Sequence, residues 1–112
     1  MSSGSAALPR VTWTRLGPWA WVTVMGDVTD VSLETLHATL LRLSDEECEI
    51  VVDLSRVSSA TAALAVALLD TASECTRHDM SCTVVVASAP CRQVLRRLRA
   101  DQLQLLGIGS MG

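Results

Sequence analysis

The sequence has no lysine, no phenylalanine and no tyrosine; its nine basic residues are arginines and its aromatics are three tryptophans, a compositional bias that names no chemistry. Positive charge is scarce. Nine Lys+Arg against twelve Asp+Glu give a net charge of −3, which argues against a nucleic-acid binder whose affinity comes from neutralising phosphates. A protein partner fits better. Cys48, Cys75, Cys82 and Cys91 form no CxxC and no paired ligand spacing, so neither zinc nor any other cofactor is expected. No apolar run approaches the ~18 residues that span a bilayer. The opening MSSGSAALPR lacks a basic start followed by an apolar core, so the expectation is no membrane, a cytoplasmic location and reduced thiols. There is no glycine-rich phosphate loop. Cys75 and His78 are neighbours, but no third orienting group or oxyanion site accompanies them, and catalysis is not expected.

What is present is apolar. With 112 residues, 49% of them hydrophobic, the chain is long enough for one domain with a single core. The pattern predicts a flexible start over 1–10, a domain over 11–106 and a flexible tail over 107–112.

The organising stretch is IVVDLSRVSSATAALAVALL, residues 50–69. Ile50 to Leu54 is a β-branched run suited to a strand covered on both faces, Ser55 to Thr61 reads as a polar loop, and the Ala- and Leu-rich part from Ala62 reads as a helix. In open α/β sheets such a strand-loop-helix junction commonly carries the functional surface, which points to Ser58 through Leu64. Upstream, Val11 to Leu16 and Trp19 to Met25 alternate around Gly17-Pro18 and predict an antiparallel hairpin. The period of two then puts Trp13, Trp19 and Trp21 on one face, either as a contact patch for a partner or second copy, or covered by the chain's own ends.

Leu33, Leu36, Leu40 and Leu43 repeat at helical spacing behind a Ser32 N-cap, with His37 beside the stripe as a surface or boundary residue. Asp45, Glu46, Glu47 and Glu49 make an acidic loop. The helix from Ala62 to Arg77 is expected to bury Ala65, Leu68, Leu69, Ala72 and Cys75 and to present Ala63, Ala67, Asp70, Glu74 and Arg77. Thr83 to Ala87 predicts a further buried strand. One final helix is expected from Cys91 to Leu106, with Val94, Leu95, Leu98 and Leu103 inward and Arg92, Arg96, Arg97 and Arg99 partly balancing the acidic loop. The sum is an α/β fold, a small mixed sheet with helices packed on one face.

GDVT at 26–29, IVVDLSRV at 50–57, TAALAVALL at 61–69 and APCRQVLRRL at 89–98 resemble the successive landmarks of STAS domains, the fold of bacterial anti-sigma-factor antagonists. The resemblance runs from Val11 to Leu106, with the VVDLS strand and its small-residue helix start as the most specific part. It implies a STAS-like fold and a non-catalytic regulator that binds an anti-sigma factor or a related ATPase-fold kinase. In that family an Asp-Ser-(Ser/Thr)-Gly stretch follows the strand, and its second hydroxyl residue is phosphorylated. The family's Asp falls here on Thr61, its first Ser on Ala62, its phospho-acceptor on Ala63 and its Gly on Leu64. An alanine has no hydroxyl, so Ala63 cannot be phosphorylated and the usual change of −1.5 to −2 charge units cannot occur there. The acidic residue of the family's GxLD is also absent, since Thr29 stands in its place.

The resemblance therefore leaves two expectations. One is partner binding without phospho-control through Ser58, Ser59, Thr61, Ala62, Ala63, Leu64, Ala67 and Asp70. The other is control moved to Ser58, Ser59 or Thr61, although Thr61 also suits an N-cap accepting from the Leu64 N–H, worth ~1 kcal/mol. An alternative class is a redox- or ligand-responsive scaffold acting through homodimerisation. Cys75 and Cys82, separated by a helix end and a turn, are its candidate disulfide pair or else core filler.

Overall fold

A computed structural model describes residues 10–28 and 30–106. Strand β1 (Arg10–Leu16) turns into β2 (Trp19–Asp27), followed by α1 (Asp30–Asp45), β3 (Glu49–Ser59), α2 (Ala62–Arg77), β4 (Cys82–Ala87), α3 (Ala89–Leu95) and α4 (Ala100–Leu106). The flexible tail expected at 107–112, and the flexible start apart from Arg10, lie outside the described residues; Arg10 itself opens β1. The hairpin turn is short. Gly17 takes φ 61° ahead of Pro18, the type II′ pattern whose twist matches the strands it joins. The sheet runs in the order β1-β2-β3-β4. β1 and β2 pair antiparallel, and β2-β3 and β3-β4 pair parallel because each of those connections crosses through a helix.

One face of the sheet carries the core. Ala20, Val22 and Val24 of β2, Ile50, Val52 and Leu54 of β3, and Cys82 and Val84 of β4 are buried against Leu36, Leu40 and Leu43 of α1, Leu64 and Leu68 of α2, Cys91 and Leu95 of α3 and Leu106 of α4. The expected mixed sheet with helices on one face is the observed architecture. No helix among the described residues is long and apolar enough to cross a membrane.

Several local expectations change. Helix α1 begins at Asp30, so Ser32 lies inside its first turn and not at the N-cap position. β3 runs on to Ser59, because β2 stays paired with it through Asp27 opposite Ser59 by way of two register shifts, and the seven-residue loop expected at 55–61 shrinks to Ala60 and Thr61. The single final helix is two. After α3, Arg97 and Leu98 donate to the carbonyls three residues back, of Val94 and Leu95, and α4 restarts where Gln102 Oε1 accepts the Arg99 N–H at 2.9 Å, one half of a capping box. In α2, Leu64, Ala67 and Thr71 are buried as well, while Leu69 is only half-buried.

The tryptophans do not share a face. Residues opposite one another in an antiparallel pair project to the same side, and Trp13 pairs with the buried Val22, whereas Trp21 pairs with Thr14 and Trp19 with Leu16. Trp13 therefore lies on the helix side, where the Arg42 guanidinium of α1 sits 5.6 Å from its ring centroid, a cation–π arrangement. Trp19, Trp21 and Leu16 lie on the open side. Counting residues by twos carried Trp13 across the hairpin turn, but the pairing register decides the face.

Among the described residues, the paired members of the acidic segment and of the arginines after Pro90 find their partners elsewhere. Glu46 pairs with Arg15 of β1 at 3.0 Å, Glu49 accepts from Ser81, Arg92 donates to the Ala87 carbonyl and Arg99 pairs with Asp101.

Candidate functional site

The end of β3 and the start of α2 form a junction with two recesses. On one side a polar pocket of about 300 Å³ is lined by Ser58, Ser59, Thr61, Ala62, Pro90 and Arg97, among others. On the other, an apolar groove of about 400 Å³ between α1 and α2 is lined by Leu33, Glu34, His37, Ala63, Val66 and Ala67. The expected partner-binding residues are thus divided by the helix. Ser58, Ser59, Thr61 and Ala62 belong to the pocket, and Ala63 and Ala67 to the groove.

The three hydroxyls of the junction are unequal. Ser58 Oγ and Ser59 Oγ both donate to Asp27 Oδ1, at 2.7 and 3.0 Å, across the pairing of β2 with β3. These two bonds hold the Asp27 carboxyl below the usual carboxylate range, since donors favour the charged form. Thr61 is exposed. It occupies the N-cap position with extended backbone, but its hydroxyl makes no capping bond; the Leu64 N–H goes instead to the Thr61 carbonyl at 3.0 Å. The capping role expected of the Thr61 side chain is therefore not realised.

Leu64 is fully buried. It cannot meet a partner, and its place in the expected binding set is corrected to that of a core residue beneath the site. Ala67, with 3% of its surface exposed, is the floor of the groove and not a projecting contact. Val66, absent from the expected set, is 62% exposed at the groove edge. Asp70, one turn beyond, reaches back to α1, with its Oδ2 3.2 Å from His37 Nε2, an orientation that brings the groups together without a hydrogen bond. Glu34 gives the groove an acidic rim, and Asp70 stands beside it.

Sequence periodicity missed Asp27, Glu34, Val66 and Arg97. Val66 was within reach of it: the helical wheel of α2 places this residue on the outward side next to Ala63 and Asp70. The other three join the site only through tertiary contacts, so no local signal marks them.

The thiols lie in the core. Cys48, Cys75, Cys82 and Cys91 are all free and buried. Burial pushes Cys75 up to about 11, assisted by the neighbouring Cys48, and raises Cys82 further for the same first reason. Burial weighs against the expected responsive Cys75–Cys82 pair, because the thiolate is the reacting species and burial suppresses it. The same holds against a Cys75/His78 nucleophile pair. We expect the native protein to show no fast thiol with an Ellman-type reagent, and all four to react once urea unfolds it; prompt labelling of Cys75 in the native state would contradict this placement.

Comparisons with known proteins bear on the whole chain. A family profile described as "Mlab, STAS domain" matches residues 19–107. No curated protein matches the sequence. Among solved structures, an anti-sigma factor antagonist from Mycobacterium paratuberculosis superposes with a TM-score of 0.78 at 14% identity, over 96% of this chain and 90% of that one. The anti-sigma factor antagonist SpoIIAA in its unphosphorylated form gives a TM-score of 0.69 at 13% identity, over 91% and 90%. At these identities the superpositions speak for the fold, and the profile, spanning most of the chain, speaks for descent. From the β2 strand to the end of α4, this protein belongs to the STAS-domain family.

Proposed function

We propose that the protein is a non-catalytic regulatory module that acts by protein–protein contact in the bacterial cytoplasm. It binds an anti-sigma factor or a related ATPase-fold kinase, and it does so without phosphorylation at Ala63. The observation that carries this reading is the apolar, acidic-rimmed groove beside Ala63, at the helix start where the family resemblance puts the phospho-acceptor. Ala63 and Val66 form its apolar wall and Glu34 its charged edge, with Asp70 beside it against His37. An apolar segment bearing Arg or Lys complements both features.

The test is capture of partners from the source-cell lysate with wild type and with Val66→Asp, identified by mass spectrometry. Val66 is exposed, so the variant should fold. An ATPase-fold anti-sigma factor retained by wild type and lost with the variant is the expected result. Absence of any such partner, or equal retention by both proteins, would overturn the proposal.

A second mode of control is favoured by one observation. Of the three hydroxyls at the junction, Ser58 and Ser59 are engaged by Asp27, whereas that of Thr61 is exposed and makes no capping bond. If phosphorylation persists in this chain, Thr61 is the residue to carry it, close to Arg97 in the same pocket. Phosphopeptide mapping of the native protein tests this, and a modification confined to Ser58 or Ser59 would refute the assignment.

A further inference from the structure

At the other end of the same helix pair, Asp45 closes α1, Glu74 lies in the last turn of α2 and His78 is the α2 C-cap. Each offers one ligand atom, and the three atoms all lie within 4.8 Å of one another. His78 Nε2 and Asp45 Oδ1 are 4.0 Å apart. We propose that these residues form a binding site for a divalent transition-metal ion of the zinc class.

The chemistry of the donors carries the proposal. An imidazole with two carboxylates is a nitrogen–oxygen set of the kind that zinc accepts, with ligand bonds of about 2.0–2.2 Å and room for water as a fourth ligand. Ligand atoms in a tetrahedral sphere of that size stand roughly 3.4 Å apart, and the three atoms, within 4.8 Å of one another, would draw together around the ion. Two carboxylates and a neutral imidazole sum to −2, which matches the ion.

The donors also have fixed supports. Glu74 and His78 are four residues apart and share one side of the helix. The turn beyond them is a Schellman arrangement: Met80 N–H bonds the Cys75 carbonyl at 2.8 Å and Asp79 N–H bonds the Thr76 carbonyl at 3.1 Å, with Asp79 in the left-handed region at φ 64°. This holds the backbone of His78 in place. Asp45 comes from a different helix, and both α1 and α2 end here. The negative ends of two helix dipoles therefore meet at the candidate ion position.

Arg77 is the competing group, with Nη1 3.0 Å from Glu74 Oε2. It is an exposed i,i+3 pair, and such pairs hold weakly. A bound ion would tie the C-terminal ends of α1 and α2 together. From Val66 to Glu74 the helix rises about 12 Å, so the ion would lie away from the apolar wall of the groove, with Asp70 between the two, and the site does not rest on the proposed function.

The experiment is a calorimetric titration of untagged, EDTA-treated full-length protein with zinc chloride, repeated with His78→Ala and Asp45→Asn. A parallel cobalt(II) absorption spectrum distinguishes nitrogen–oxygen ligation from binding to the thiols. The expected result is one ion per chain with micromolar affinity, a higher melting temperature, a cobalt spectrum without thiolate charge-transfer bands, and at least a tenfold loss of affinity in each variant. Binding weaker than millimolar, thiolate bands in the cobalt spectrum, or wild-type affinity in either variant would overturn the proposal, the last meaning an adventitious ion only.

Discussion

Leu64→Ala is expected to lower the stability of the protein by about 2–5 kcal/mol, read as a fall in the urea midpoint with an unchanged slope. The side chain is fully buried in the same cluster as Leu36, Leu68 and Val57. Removing most of it leaves a cavity at the point where the start of α2 meets the sheet, and the surrounding strands can collapse into that space only in part. Single domains are commonly stable by about 5–15 kcal/mol, so the loss is a large fraction of the total. A contact role for Leu64, as the family resemblance implies, would predict the opposite outcome, normal stability with weakened binding. A variant with an unchanged urea midpoint would show that the packing beneath the site is wrong.

Ala63→Glu, one residue earlier, is expected to do the reverse. Ala63 is exposed and is the second residue of α2, whose first turn holds no acidic side chain. A glutamate there meets the positive end of the helix dipole and should leave stability unchanged or raise it by about 0.3–1 kcal/mol. In a complex, the same charge would face the apolar wall of the groove beside Glu34. Burying it unpaired against a partner should weaken affinity at least tenfold, about 1.4 kcal/mol. Ala63→Ser, which adds only a hydroxyl, should bind like wild type. Measured on the partner captured from the lysate, equal affinity of wild type and Ala63→Glu would remove the start of α2 from the docking surface, even if the partner is the expected one.

Comparing these two neighbours shows where local pattern runs out. The helical period of 3.6 assigned Ala63 outward correctly. Leu64 stood among the expected contacts because the strand-loop-helix junction and the motif alignment, not the period, placed it there. The same period identified the inward leucines of α1, since Leu36, Leu40 and Leu43 are all fully buried, and the β-branched run at 50–54 is the interior strand it resembles. Boundaries failed where tertiary pairing extended or cut an element. β3 gains its last residues from β2, and the final helix breaks between Leu95 and Ala100.

The sequence by itself determined the order of strands and helices, the single apolar face of the sheet and the lack of a hydroxyl at Ala63. The first two follow from side-chain periodicity along each segment, and the third from covalent chemistry, because alanine carries no oxygen in any fold. Only the tertiary structure decided which tryptophans share a face, which hydroxyl of the junction is left over, and that Asp45 meets Glu74 and His78. Asp27 reaches Ser58 and Ser59 across 31 and 32 positions, and Trp13 takes its side from Val22 opposite it. Such relations are fixed by strand register and helix packing, in which each residue answers to neighbours far along the chain, and no window of local sequence contains them.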